Sequence, residues 1–101
     1  MRCMFNECKK LNNIKLTSFN THNVTNMESM FRGCENLKDL NLSSFNTKKV
    51  NSMVYMFSGC KNLKELNISS FTTQNITNIF GIFEKCNKNI IDSNTLFINY
   101  F

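Results

Sequence analysis

The chain has 101 residues, 42% of them hydrophobic, and a formal net charge of +5. That length suits one domain with a buried core, and that hydrophobic content excludes a disordered chain. No apolar run approaches the roughly 18 residues of a membrane helix. No apolar stretch of the signal-peptide kind follows Met1-Arg2-Cys3-Met4-Phe5. The basic balance allows nucleic acid or an anionic surface as partner without requiring either. Pro and Trp are absent, and Asn and Lys are abundant. This bias is what an AT-rich genome produces, so the richness in Asn is read as composition and not as function.

One pattern recurs along the chain. Residues 1–10 read as the second half of a unit, and residues 11–36, 37–62 and 63–88 as three units in which an apolar-polar strand precedes an amphipathic stretch. Residues 89–101 read as a degenerate unit or cap, because Asn89 and Asp92 fall where leucines are expected. Cys8, Cys34, Cys60 and Cys86 keep one constant step, and so do Phe5, Phe31, Phe57 and Phe83, and Phe19, Phe45, Phe71 and Phe97. Such a period carrying L-x-x-L-x-L is the sequence sign of a leucine-rich-repeat stack. The expected fold is therefore α/β: a leucine-rich-repeat-like solenoid with one short parallel strand and one short helix per 26-residue repeat.

Within each unit, Ile14-Lys15-Leu16, Leu40-Asn41-Leu42 and Leu66-Asn67-Ile68 alternate apolar and polar, the period of a strand buried on one face. Val24, Met27, Phe31 and Cys34 follow the spacing of one helix face, repeated from Val50 to Cys60 and from Ile76 to Cys86. Ser18, Ser44 and Ser70, with Thr21, Thr47 and Thr73, sit where hydroxyls cap helix amides or close turns. Gly33 and Gly59 sit near the expected helix end, where positive φ is common. Glu7 and Lys85 replace them in the outer copies, which are expected to end differently. No unit buries its own apolar face, so stacking is obligatory. A start half-way through a unit is what a piece of a longer exported protein would show; an intracellular chain is the other reading.

The pattern M-F-x-G-C-x-N-L-K-x-L-N-L-S-S-F-x-T-x-x-V, as it stands at 30–50, resembles the repeat of BspA-like leucine-rich-repeat surface proteins, with mycoplasma-type lipoproteins as the nearest subgroup. The resemblance covers residues 4–86 and leaves out the tail from Asn87. It implies a non-enzymatic, surface-displayed or secreted module that binds host, matrix or other surface proteins, and supplies no catalytic residues.

The chemistry-bearing residues point the same way. Zinc sites use C-x2-C pairs or Cys with His; here the Cys spacings are 5 and then 26, and His22 is the single histidine. The Cys column lies on the apolar face and reads as buried thiols, with Cys3 outside it as the exposed one. No metal, cofactor or catalytic constellation is expected, since serines that recur in every unit are structural and an active site is not repeated. The lysines are interleaved with acids and have no expected aromatic platform, which disfavours nucleic acid. The remaining candidate is the outward strip of the strands: Asn13, Lys15 and Thr17; Asp39, Asn41 and Ser43; Glu65, Asn67 and Ser69. Solenoids commonly bind partners on such faces. A protein-binding module is therefore the expected function, with a structural spacer and a polyanion binder as alternatives, and self-association through open ends as a further expectation.

Overall fold

The computed structural model describes residues 2–9 and 16–93. The expected strand at Ile14, the candidate residues Asn13 and Lys15, and the expected cap strand from Thr95 to Phe101 lie outside the described residues. The structure contains β1 (Asp39–Asn41), β2 (Glu65–Asn67) and α1 (Lys88–Ser93). β1 and β2 pair in parallel, with Asp39 beside Glu65, Leu40 beside Leu66 and Asn41 beside Asn67. Single bridges join Asn26 to Ser52 and Ser52 to Asn78, also in parallel. The two members of every one of these pairs are separated by one repeat, so equivalent positions of successive units lie side by side.

The segments expected to be helical are not α-helices. Residues 28–33, 54–59 and 80–85 are chains of turns. Met30 N–H donates to Met27 C=O, Arg32 to Ser29, and Cys34 to Phe31, each three residues back. The intervening N–H groups leave the segment: those of Met27, Ser29, Phe31 and Gly33 donate to the carbonyls of Ser52, Val54, Met56 and Ser58 at 2.7–3.0 Å. Met53, Tyr55, Phe57 and Gly59 repeat this towards Asn78, Phe80, Ile82 and Glu84. A helix would send every N–H along its own axis. Here half go sideways to the next unit.

Two backbone columns break the helical path. Cys3, Ser29, Tyr55 and Gly81 have positive φ, as do Glu7, Gly33, Gly59 and Lys85. A left-handed residue at the third place of a turn is the mark of type II, and Ser29 and Gly33 stand at that place in the turns 27–30 and 31–34. Glu7 and Lys85, expected to differ from the glycines, adopt the same conformation at φ 61°. The left-handed residues recur every four positions. Side chains at 27, 30, 31 and 34 therefore face inward, as they would on a helix. Over so short a stretch, a repeat of four and one of 3.6 bury the same residues.

The core lies between the turn chains and the strands. Met27, Met30, Phe31, Cys34, Leu37, Leu42, Val50, Met53, Met56, Phe57, Cys60, Leu63 and Ile82 are fully buried. Phe5, Phe31, Phe57 and Phe83 form a ladder, with ring centroids 5.4, 6.0 and 5.6 Å apart and planes within 13° of parallel. Ile90 of α1 is buried in the same core and Ile91 packs against it. Thr21 and Thr47, expected to cap helix amides or close turns, tie units together. Thr47 Oγ1 donates to Thr72 C=O at 3.2 Å and accepts Thr72 N–H at 2.9 Å. Thr21 does the same with Asn46. Ser44 and Ser70 donate to the carbonyls of Leu16 and Leu42 in the preceding unit.

Candidate functional site: the polar face of the strands

The strand segments are short because the chain turns directly after them. Asn41 Oδ1 accepts Ser43 N–H at 2.9 Å, and Asn67 Oδ1 accepts Ser69 N–H at 3.0 Å. These are Asx turns, in which the asparagine side chain stands in for a backbone carbonyl. Leu40 is buried beneath the face and Leu66 is half-buried, while Asp39, Asn41, Glu65 and Asn67 are exposed. The six residues line one shallow concavity of about 370 Å³.

The register puts Asp39 directly beside Glu65. Neighbouring like charges on a sheet are destabilising, and among the described residues no cation pairs with either carboxylate. Asn41 and Asn67 form the second row, their amide oxygens engaged and their amide nitrogens without an acceptor among the described residues. The face thus offers two adjacent carboxylates and two amide donors. Of the sequence-predicted site residues, the structure brings together Asp39, Asn41, Glu65 and Asn67.

The thiols have a different role. Cys34, Cys60 and Cys86 Sγ donate to the carbonyls of Phe5, Phe31 and Phe57 at 3.1, 3.2 and 2.9 Å. Burial pushes Cys34 and Cys86 up to about 11 and raises Cys60 further. Protonated at neutral pH, they pack and donate and are poor nucleophiles. Cys34 and Cys60 are buried and Cys3 is exposed, but Cys8 and Cys86, expected to be buried with the column, are only half-buried. The column's inner members have a unit on either side; Cys8 belongs to the first described segment and Cys86 to the last. Among the described residues, no group of three or more His, Cys, Asp or Glu could hold a metal ion. None of their helices is long and apolar enough to cross a membrane.

Two features were missed by sequence reasoning. The asparagines set aside as compositional are structural: Asn20, Asn26, Asn46, Asn78 and Asn87 also accept the N–H two residues on. The signal was present, because Asn20 and Asn46, and Asn41 and Asn67, stand one repeat apart. The second is an aromatic cluster beside an arginine, which the reading of the lysines did not consider. Phe80 is 65% exposed, its ring centroid 5.5 Å from that of Tyr55, and Arg32 Cζ lies 4.6 Å from the Tyr55 ring.

The family model described as "Mycoplasma protein of unknown function, DUF285" matches residues 1–96. No curated protein matches the chain, and no solved structure does.

Proposed function

Because the chain belongs to this Mycoplasma family of unknown function, we propose that it is a non-catalytic repeat module that binds a protein partner through the polar strand face. In this reading the units stack as a leucine-rich-repeat-like solenoid of the BspA-like kind. The module belongs to a larger protein displayed on the cell surface or secreted. The observation that carries the proposal is the in-register pair Asp39 and Glu65, exposed and without a cation among the described residues. A stack has no need of two adjacent uncompensated carboxylates, whereas a basic segment of a partner would neutralise both. The amides of Asn41 and Asn67 supply donors beside them.

The test is capture of host and matrix proteins on the immobilised chain, compared with a D39K/E65K variant. Both positions are exposed, so the variant keeps its fold. The expected result is a partner retained by the wild type at physiological salt and lost from the variant. If wild type and variant retain the same proteins, the face is not the site. If neither retains a protein, the module is a spacer.

A further inference from the structure

Positions separated by one repeat hold like residues wherever stacking requires them, as in the Phe and Cys columns. Other columns vary, and three of them meet in space. Positions 28, 54 and 80 hold Glu, Val and Phe; positions 29, 55 and 81 hold Ser, Tyr and Gly; positions 32, 58 and 84 hold Arg, Ser and Glu. There, three consecutive units contribute one side chain each to a single cluster of Arg32, Tyr55 and Phe80.

The cluster is held in place by unfavourable means. Tyr55 carries its ring on a backbone with φ 56°, a conformation that residues with a side chain avoid. The ring occupies the space where a Cβ at Gly81 would lie, since that atom would run into Cδ1 and Cε1 of Tyr55. Phe80 meets Tyr55 edge-on at 79° and is exposed, whereas every other described phenylalanine is buried or half-buried. Arg32 lies over the Tyr55 ring, and among the described residues no carboxylate pairs with it. The other units place Cys3, Ser29 and Gly81 at this left-handed position. A bulky ring there adds strain that the turn itself does not need, and such strain is a pointer to function.

We propose that this ledge holds one nucleotide unit of a single-stranded nucleic acid, with a base stacked on the open face of Phe80 and a phosphate on the guanidinium of Arg32. This site is separate from the strand face and does not rest on the reading given to it. The chemistry follows from the groups present. A base needs only a π-face, and stacking on an exposed aromatic ring is tolerant of sequence. The cluster itself supplies a π-face, the Tyr55 hydroxyl and the guanidinium, which a base with its phosphate uses directly. Arg32, held by the cation–π contact, has its N–H edge available for a phosphate oxygen. Arg32 also lines a groove with Glu7, Glu35 and Glu84 as well as Lys61 and Lys85, so three carboxylates there face three cations, Arg32 among them. One phosphate at most is neutralised, and binding is weak and dominated by stacking.

The experiment is fluorescence anisotropy of a labelled oligothymidylate titrated with the chain at several salt concentrations. Binding is expected with a log–log salt slope of about −0.7, that of a single phosphate on a single strand. Phe80→Ala should weaken it about tenfold, within the range of one lost stacking contact, and lower thermal stability only slightly, through loss of the edge-on contact with Tyr55. Arg32→Gln should bring the salt slope close to zero. Lys49→Gln, at an exposed lysine outside the cluster, should leave both unchanged. Absence of binding overturns the proposal. So does binding that Phe80→Ala leaves intact, or an abasic strand that binds equally well. Binding of a sialylated or uronic oligosaccharide in place of oligothymidylate overturns it too and reassigns the ledge to acidic glycans.

Discussion

The two sides of each unit use the same repeat register in different ways. On the strand side, β1 and β2 have three residues each, and the surface carries an Asp39–Glu65 pair with no cation on it among the described residues. On the turn side, alternate N–H groups from Met27 to Gly33 and from Met53 to Gly59 reach the next unit, and the residues between them close turns. Most of the backbone N–H groups there are bonded, sideways or locally, and the Phe, Met and Cys columns lie directly beneath. Stability should therefore reside on the turn side, leaving the strand side free to vary its surface.

The largest effect expected from this comparison is in the Phe ladder. Phe57 is fully buried between Phe31 and Phe83, and Phe57→Ala should cost about 3–5 kcal/mol in denaturant unfolding. Asp39→Ala on the strand face should leave the midpoint nearly unchanged. Equal losses at both positions would break the comparison.

The left-handed columns sharpen it. At Gly59, with φ +75°, an added Cβ meets only ordinary contacts, so Gly59→Ala should cost about 1–2 kcal/mol from backbone strain alone. Gly81→Ala adds a clash with the Tyr55 ring to the same strain, and should cost more. Double-mutant analysis with Tyr55→Ser should recover the excess and not the strain. If the two alanine variants unfold alike, the Tyr55 ring is not seated over Gly81.

Next come the hydroxyls between units. Thr47→Val removes a buried group that both donates to Thr72 C=O and accepts Thr72 N–H. A loss of about 1–3 kcal/mol is expected from leaving those partners unsatisfied. A neutral outcome, again by denaturant unfolding, would mean that the threonine column does not join the units.

The thiols test the interior by pH. Burial raises Cys34 and Cys86 from 9.0 to about 11, so the native chain holds these protons after the unfolded chain has released them. Their contribution is full below pH 9 and falls as pH rises towards 11. Cys34→Ala and Cys86→Ala variants should flatten this alkaline decline. Under native conditions a thiol reagent should label Cys3 first, Cys8 and Cys86 more slowly, and Cys34 and Cys60 only on unfolding. Rapid labelling of all five would contradict the buried column.

The smallest effect belongs to the strand face. Glu65→Lys replaces a like-charge neighbour of Asp39 by an opposite one, and a gain of about 0.2–1 kcal/mol is expected in the thermal unfolding free energy. A loss would mean that the two carboxylates are not adjacent.

The sequence was informative where one residue type can serve only one purpose. Leu37, Leu40, Leu42, Met53, Phe57 and Cys60 recur at a fixed step and are buried. The polar strip at Asp39, Asn41, Glu65 and Asn67 followed from period-two alternation, because a strand that buries Leu40 must show its neighbours. The turn chain was harder to read. Met27, Met30, Phe31 and Cys34 satisfy a helix as well as a succession of turns, since both return an inward side chain after three or four residues. Only the hydrogen bonds distinguish them, and those depend on carbonyls of the following unit, as from Met27 N–H to Ser52 C=O.

The amino-acid sequence by itself thus determined the repeat, the identity of the buried columns and the exposed strand strip, because hydrophobic spacing is a local property of the chain. Tertiary structure alone decided what lies beside what. It set the sideways ladder of the turn chains, the left-handed backbone at Glu7 and Lys85 as well as at the glycines, and the meeting of Arg32, Tyr55 and Phe80 from three different units. The physical reason is that a left-handed residue or a sideways N–H is unfavourable for its own segment. It becomes favourable only when the neighbouring unit supplies a carbonyl or a ring at the right height.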